Sequence, residues 1–331
     1  MKIAIVILNW NGRALLEEFL PSVVSFSPED SVYVADNAST DDSVAFITHH
    51  FPKVKIIQNK VNGGYARGYN EALQHVKADV YCLLNSDVAV TENWLSPVIK
   101  TFSENENIAV VQPKLLDYKN QDYFEYSGAA GGFIDQFGYP YCRGRVFDTI
   151  EKDEGQYDDT AEVFWASGAC FFIRKDIFEE AGKLDEDFFA HQEEIDLCWR
   201  VQKLGYTVQH VGASEVFHLG GATLDAMNPK KTYLNFRNNL LMLLKYLPVR
   251  RLVIILFTRL LLDGVAAMKF LGEGKPSHFT AVLKAHFSFY FLLSKFLKKR
   301  TNSTLKKKYY RISSVVWQYY VLNKKYFNQL N

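Results

Sequence analysis

Three acids crowd one short stretch of the chain. Glu193, Glu194 and Asp196 lie within Phe188-Phe189-Ala190-His191-Gln192-Glu193-Glu194-Ile195-Asp196-Leu197-Cys198-Trp199-Arg200. At helical spacing Glu194 shares a stripe with Leu197, Cys198 and Val201, whose packing would turn it inward. Glu193, Asp196 and Arg200 fall on a neighbouring stripe, where Asp196 and Arg200 can pair four residues apart. An inward carboxylate near a helix start, once partly desolvated, is suited to take a proton from a hydroxyl. Acids in a first helical turn also simply suit the helix dipole, and position alone leaves the two readings even.

Other polar groups stand where apolar runs end. Asp36 follows Val32-Tyr33-Val34-Ala35, and a carboxylate there can accept from a ribose hydroxyl or from the imide N–H of uracil or thymine. The Ser39-Thr40-Asp41 that follows suits a helix N-cap, and both roles fit because Asp36 lies upstream of the cap. In Asn62-Gly63-Gly64-Tyr65-Ala66-Arg67 the paired glycines let backbone approach a ligand, and Arg67 adds a planar donor for a base or phosphate. Glycine before a helix is commonplace, so this stretch says little alone. Asn85-Ser86-Asp87 ends the apolar run Val80 to Leu84, where a carboxylate can hold a hard divalent cation bridging two phosphates. One carboxylate holds such an ion poorly. His218, in Val216-Phe217-His218-Leu219-Gly220-Gly221-Ala222-Thr223, is the best second ligand, although a lone His without flanking glycines reads as an ordinary surface or core residue.

The elements that must position these groups are legible as alternating β-branched runs and helical patterns over the first 115 residues. Strands are expected at Lys2–Leu8, Ser31–Ala35, Val54–Gln58, Val80–Leu84 and Ala109–Gln112, with helices near Arg13–Ser25, Asp41–His50, Tyr65–Val76 and Glu92–Phe102. Apolar strands without period-2 alternation, separated by helices, predict an α/β fold with a mostly parallel sheet covered on both faces. Ligands collect at the carboxyl ends of such strands, which puts Asn9-Trp10-Asn11, Asp36-Asn37 and Asn85-Ser86-Asp87 along one rim. From Leu115 to Thr160 the chain reads as a long loop region of the binding kind. Order returns at Val163–Arg174, with a helix at Glu193–Leu204, a strand at Thr207–Val211, and helix from Thr232 almost to the end.

Composition narrows the function classes. Of 331 residues 48% are apolar and 23% charged, which excludes a largely disordered chain. The formal charge of +1 hides a split: from Lys245 onward 17 Lys and Arg face only Asp263 and Glu273. This basic, aromatic tail predicts peripheral, in-plane membrane attachment better than a clean span, because Leu252–Gly272 carries Arg259, Asp263 and Lys269. A soluble helical subdomain is the competing reading. Four scattered cysteines without a CxxC pair suggest free thiols in a reducing compartment. The apolar start, Ile3 to Leu8, is too short for a signal peptide, so a cytoplasmic protein is expected. No GxGxxG follows the first strand and no GxxxxGK[ST] is present, which disfavours a dinucleotide oxidoreductase and excludes a P-loop.

Taken in order, ILNWNG, ADNASTDDS, NGGYARGYN, LLNSDV, SGACFFIRK, FFAHQEEIDLCWR and HLGGAT make the chain closely resemble glycosyltransferase family 2, the inverting nucleotide-sugar transferases of the GT-A fold. The resemblance runs from about Lys2 to Leu247 and is strongest to rhamnosyltransferase-type enzymes of bacterial surface-polysaccharide assembly. It implies a GT-A domain over residues 1–247, with a nucleotide-binding half (1–115) and an acceptor half (116–247), followed by the tail 248–331. It implies Asp36 at the pyrimidine base with Asn9 and Trp10 nearby, and Gly64 and Arg67 close to base or phosphates. Asn85, Ser86 and Asp87 would lie on the nucleotide sugar, Asp87 and His218 on Mg²⁺ or Mn²⁺, and Glu194 would be the catalytic base, supported by Glu193, Asp196 and Arg200. Two positions depart from the family pattern: Asn85 replaces the first Asp of its DxD motif, and Glu194 stands where an Asp is usual.

The expected function is therefore transfer of a sugar from a dTDP- or UDP-sugar to a hydroxyl of a glycan or lipid-linked acceptor at the inner membrane face, with no role for nucleic acid. A sugar nucleotidyltransferase and a non-catalytic glycan-binding protein are the competing readings. The first would normally carry a longer glycine-rich basic loop than Asn9-Trp10-Asn11-Gly12-Arg13, and the second has no need for Asp87, Glu194 and His218 together.

Overall fold

The computed structural model describes residues 1–220, 228–300 and 308–330. Strands β1 (Ile3–Asn9), β2 (Val32–Asp36) and β3 (Lys55–Gln58) alternate with helices α1 (Arg13–Ser25), α2 (Ser43–His50) and α3 (Gly64–Leu73), and β4 (Val80–Asn85) follows. β1, β2 and β4 are apolar and buried on both faces because helices cover the two sides. Next come β5 (Val88–Val90), α4 (Leu95–Glu104) and β6 (Ile108–Asp117), then the short strands β7 (Gly132–Ile134), β8 (Pro140–Cys142), β9 (Arg145–Val146) and β10 (Thr149–Ile150). β11 (Thr160–Val163), β12 (Cys170–Arg174), α5 (Lys175–Glu180), α6 (Glu193–Leu204) and β13 (Thr207–His218) come next. α7 (Pro229–Tyr246) follows, and the tail holds α8 (Val249–Gly272) and α9 (Pro276–Lys298).

The main sheet has nine strands in the order β11-β13-β6-β12-β4-β1-β2-β3, with β5 paired to β13. It is a Rossmann-like α/β sheet, but the expectation of mostly parallel strands needs correction. β1–β2, β1–β4, β2–β3 and β6–β13 are parallel, whereas β12 runs antiparallel to both β4 and β6, and β11 and β5 run antiparallel to β13. The reason is where the loop region leaves the chain. β6 ends at the rim, and β12 begins there too, with Cys170 opposite Leu84 and Arg174 opposite Val80. A strand that starts at the rim must run downward. Uninterrupted apolar runs report burial on both faces, not direction. The region expected as loop folds into the antiparallel four-stranded sheet β7 to β10.

The tail packs into the body. Phe289, Phe296, Ile312, Val315 and Tyr319 belong to the same core as Tyr81, Phe171 and Trp199, and Phe327 stacks on Phe133. Arg300 donates to the carbonyls of Leu244 and, at 2.7 Å, Leu247, closing the end of α7. Among the described residues, no helix is long and apolar enough to cross a membrane. Gly221, Ala222 and Thr223 of the His218 motif, and Lys306 and Lys307, lie outside the described residues.

Candidate active site

Asp36 and Asn9 are the last residues of neighbouring parallel strands and stand in register. The Asn9 amide donates to Asp36 Oδ1 at 3.1 Å and the Ser39 N–H to Oδ2 at 3.0 Å, with both side chains buried. Asn9 Oδ1 is buried with no partner. It sits 2.5 Å from where a Cβ on Gly12 would be, so a side chain at Gly12 would force the Asn9 amide to move. Trp10 projects from this rim 49% exposed, free to stack on a planar ligand.

The glycine pair does something the motif alone does not show. Gly64 has φ 74°, and a Cβ there would lie 2.7 Å from the ring and carbonyl of Phe189. The Tyr65 N–H donates to that carbonyl at 2.9 Å. Gly64 thus lets the start of α3 press against the loop that leads to Glu194. Arg67 is solvent-exposed and pairs with Glu71 at 2.7 Å.

Asp87 and His218 are brought together by β5. Val88 pairs with His218 across the antiparallel ladder, so the residue before it meets the imidazole: His218 Nε2 is 3.1 Å from Asp87 Oδ1. Nδ1 lies 3.3 Å from Oε1 of Glu125, a residue the sequence reading missed inside the irregular region. All three are buried. Burial opposes charge on the imidazole, but Glu125 and Asp87 outweigh it and push His218 up to about 10. Glu125 is in turn held below the ordinary carboxylate value, against burial, by His218 and the Ser127 N–H. Asp87 meets Nε2 and Glu125 meets Nδ1, on opposite sides of the ring, so Asp87 and Nε2 are the pair that fits a divalent cation accepting mixed N/O donors, Mn²⁺ more naturally than Mg²⁺, while Glu125 orients the ring from behind. Asn85 and Ser86 are half-buried beside Asp87, and the Asn85 N–H is tied to the Ala169 carbonyl at 2.9 Å. A second acidic group, Asp153, Asp158 and Glu215, already surrounds a cation: Lys114 Nζ lies 2.9, 2.5 and 2.9 Å from its three carboxylates.

The acids of α6 separate by environment. Glu194 is half-buried, and burial pushes it up to about 7 against backbone hydrogen bonds at the helix start. Glu193 is more deeply buried and raised well above the ordinary range by burial and by Glu194. Depth therefore runs opposite to the stripe expectation, because Glu193 and not Glu194 takes the deeper position. Asp196 is fully buried; burial opposes its charge, but Lys245 at 2.5 Å and Arg200 at 2.8 Å hold it below the ordinary value. The Tyr246 hydroxyl adds a bond at 2.7 Å. Asp196 and Arg200 pair as the spacing implies, but Lys245 and Tyr246 come from α7, which no spacing rule reaches.

The loop ahead of α6 is strained: Phe189, His191 and Gln192 have φ of 64°, 68° and 74°, at roughly 1–3 kcal/mol each. Asn238 of α7 offsets this by donating to the carbonyls of Phe188, Ala190 and His191 at 3.0, 2.9 and 2.6 Å.

A family model described as "Glycosyl transferase family 2" matches residues 4–182, more than half of the chain. The chain belongs to glycosyl transferase family 2. As a member it is a glycosyltransferase, moving a sugar from a nucleotide-diphosphate-sugar donor to an acceptor. The family 2 chain is 25% identical over 231 residues to the N-acetylglucosaminyl-diphospho-decaprenol L-rhamnosyltransferase of Mycobacterium tuberculosis, covering 65% of this chain and 75% of that one. Its fold is shared with the mannosyltransferase PcManGT of Pyrobaculum calidifontis in complex with GDP-Man and Mn²⁺, at TM-score 0.53 and 13% identity over 88% and 87% of the two chains. S. aureus TarS 1-349 in complex with UDP-GlcNAc superposes at TM-score 0.53 and 16% identity over 90% and 91%.

Proposed function

We propose that this family 2 glycosyltransferase works with inversion, using Glu194 as the base. The observation that carries this is the contrast along α6: Asp196 is locked in ion pairs, while Glu194 is half-buried, unlocked and poised near neutrality. Glu194 takes the proton of an acceptor hydroxyl as its oxygen bonds to the anomeric carbon. The bond from that carbon to the diphosphate oxygen breaks on the opposite face, and the nucleoside diphosphate leaves with the electron pair. Asp87 and His218 would hold a divalent cation, with Glu125 orienting the imidazole; when bound, it offsets negative charge on the leaving diphosphate. Asp36 and Asn9 would receive the imide edge of uracil or thymine, with Trp10 stacking on the base. Gly64 and Arg67 would flank the base or phosphates, with Asn85 and Ser86 beside the sugar.

The donor is then a dTDP- or UDP-sugar. The acceptor is a lipid-linked glycan of surface-polysaccharide assembly, met at the inner face of the membrane from the cytoplasm. Similarity to a rhamnosyltransferase named for N-acetylglucosaminyl-diphospho-decaprenol supports this reading. The test is incubation with a panel of labelled nucleotide sugars and Mn²⁺, followed by analysis of products. Release of nucleoside diphosphate with an inverted glycoside supports the proposal; release of pyrophosphate, or a retained anomer, overturns it.

A further inference from the structure

α8 is built inside out. Its two mid-helix charges, Arg259 and Asp263, are turned into the protein and buried. The guanidinium stacks 3.8 Å over the Tyr139 ring, donates to the Phe137 carbonyl at 2.7 Å and pairs with Asp263 at 3.2 Å. Asp263 also accepts from the Tyr139 hydroxyl at 3.1 Å. The face turned to solvent carries Val253, Ile254, Phe257, Leu261, Val265 and Met268, all exposed, with Phe257 at 63% and Val253 at 73%. From the adjacent Val253 and Ile254 onward they recur every three or four residues and make one stripe. A helix on a soluble protein places charge outward and this stripe inward. The exposed charges of α8 stand only near its ends, Arg250 and Arg251 at one and Lys269 at the other. The neighbouring α9 exposes Phe287, Tyr290 and Phe291, and Tyr320, exposed on the C-terminal turn, lies against Lys269.

We propose that this face of α8 lies in the plane of an anionic lipid leaflet, its apolar stripe sunk among the acyl chains and its terminal basic residues against lipid phosphates. The proposal rests on the membrane-proximal reading above and names the surface that serves it. Length fits: 24 residues make a rod of about 36 Å lying flat. Charge selects lipid over a second copy of this chain. Glu273, the single acid exposed on α8 or at its C-terminal end, is already paired with Lys269 at 3.7 Å, so two copies joined face to face would gather Arg250 and Arg251 with no acid on this face to meet them, whereas an anionic surface supplies their partners. The burial of Arg259 and Asp263 removes the charges that would otherwise oppose insertion.

The test uses the full chain without donor, so that a failed transferase reading cannot mimic a failed lipid reading. Wild-type protein is floated with phosphatidylglycerol-containing and with pure phosphatidylcholine vesicles. Strong flotation with the first, at least tenfold weaker flotation for Phe257→Asp/Leu261→Asp, and reduced anionic preference for Arg250→Ala/Arg251→Ala are expected. Because the aspartate variant could misfold, Phe257→Trp supplies an independent readout: its added fluorescence should be quenched by brominated acyl chains. No flotation of the wild type, or no quenching at position 257, overturns the proposal. So does a dimer in light scattering that Phe257→Asp splits while flotation is unchanged, which would assign the face to a second copy.

Discussion

Lys299 Nζ lies 2.5 Å from Asp185 Oδ1 and 2.7 Å from Asp187 Oδ2, joining the end of α9 to the loop that leads to Glu194 across more than 110 residues. Lys245 meets the same Asp185 from α7 at 2.8 Å. The loop leading to the proposed base is therefore gripped by the tail, and a chain cut after Leu247 would lose Lys299, the Arg300 caps and part of the core.

A chain ending at Leu247 is accordingly expected to be insoluble or to melt far below the full chain in calorimetry. The milder Lys299→Ala should lower stability by about 1 kcal/mol, since the lysine is partly exposed. A truncated chain that melts with the full-length one would refute the gripping role.

Acid should loosen the same grip. Burial opposes charge on Asp185, but Lys245 and Lys299 outweigh it and hold it at about 2. An aspartate depressed in the folded state contributes stability above its unfolded value near 3.9 that is lost as pH falls toward 2. Melting temperature followed from pH 5 to pH 2 should fall more steeply in the wild type than in Asp185→Asn.

With Glu194 raised to about 7, turnover should rise tenfold per pH unit below that value and level off above it, because only the carboxylate accepts a proton. Glu194→Gln should cut turnover by roughly 10²–10⁴-fold with donor affinity, read by calorimetry, nearly unchanged. A profile flat from pH 5.5 to 8, or an active Gln variant, would remove Glu194 from the role.

Glu125→Gln should weaken Mn²⁺ binding, read by electron paramagnetic resonance, by about 10–100-fold, the usual effect of losing a carboxylate behind a ligating histidine. Asp87→Asn and His218→Ala should weaken it more. Equal Mn²⁺ affinity in all three variants would place the cation elsewhere.

Asp196→Asn should cost about 3 kcal/mol, because Arg200 and Lys245 lose a buried counter-charge, while leaving the pH limb near 7 in place. A shifted limb with unchanged stability would move the base by one helical step.

Much was decided locally and could be read from the chain. The αL turn that ends α6 at Gly205, the all-apolar β1, β2 and β4, and the polar residues at their ends follow from φ preference and burial pattern, which act within a few residues. The motif order from Ile7 to His218 was enough to name the family. What tertiary structure alone decided needed partners far apart in sequence: the downward run of β12, the meeting of Glu125 with His218, Gly64 pressed on Phe189, and the inversion of α8. Arg259 and Asp263 four residues apart look the same in sequence whether they face water, lipid or protein. Only Tyr139 and Phe137, more than a hundred residues earlier, make the inside of the molecule the place where that pair is best satisfied.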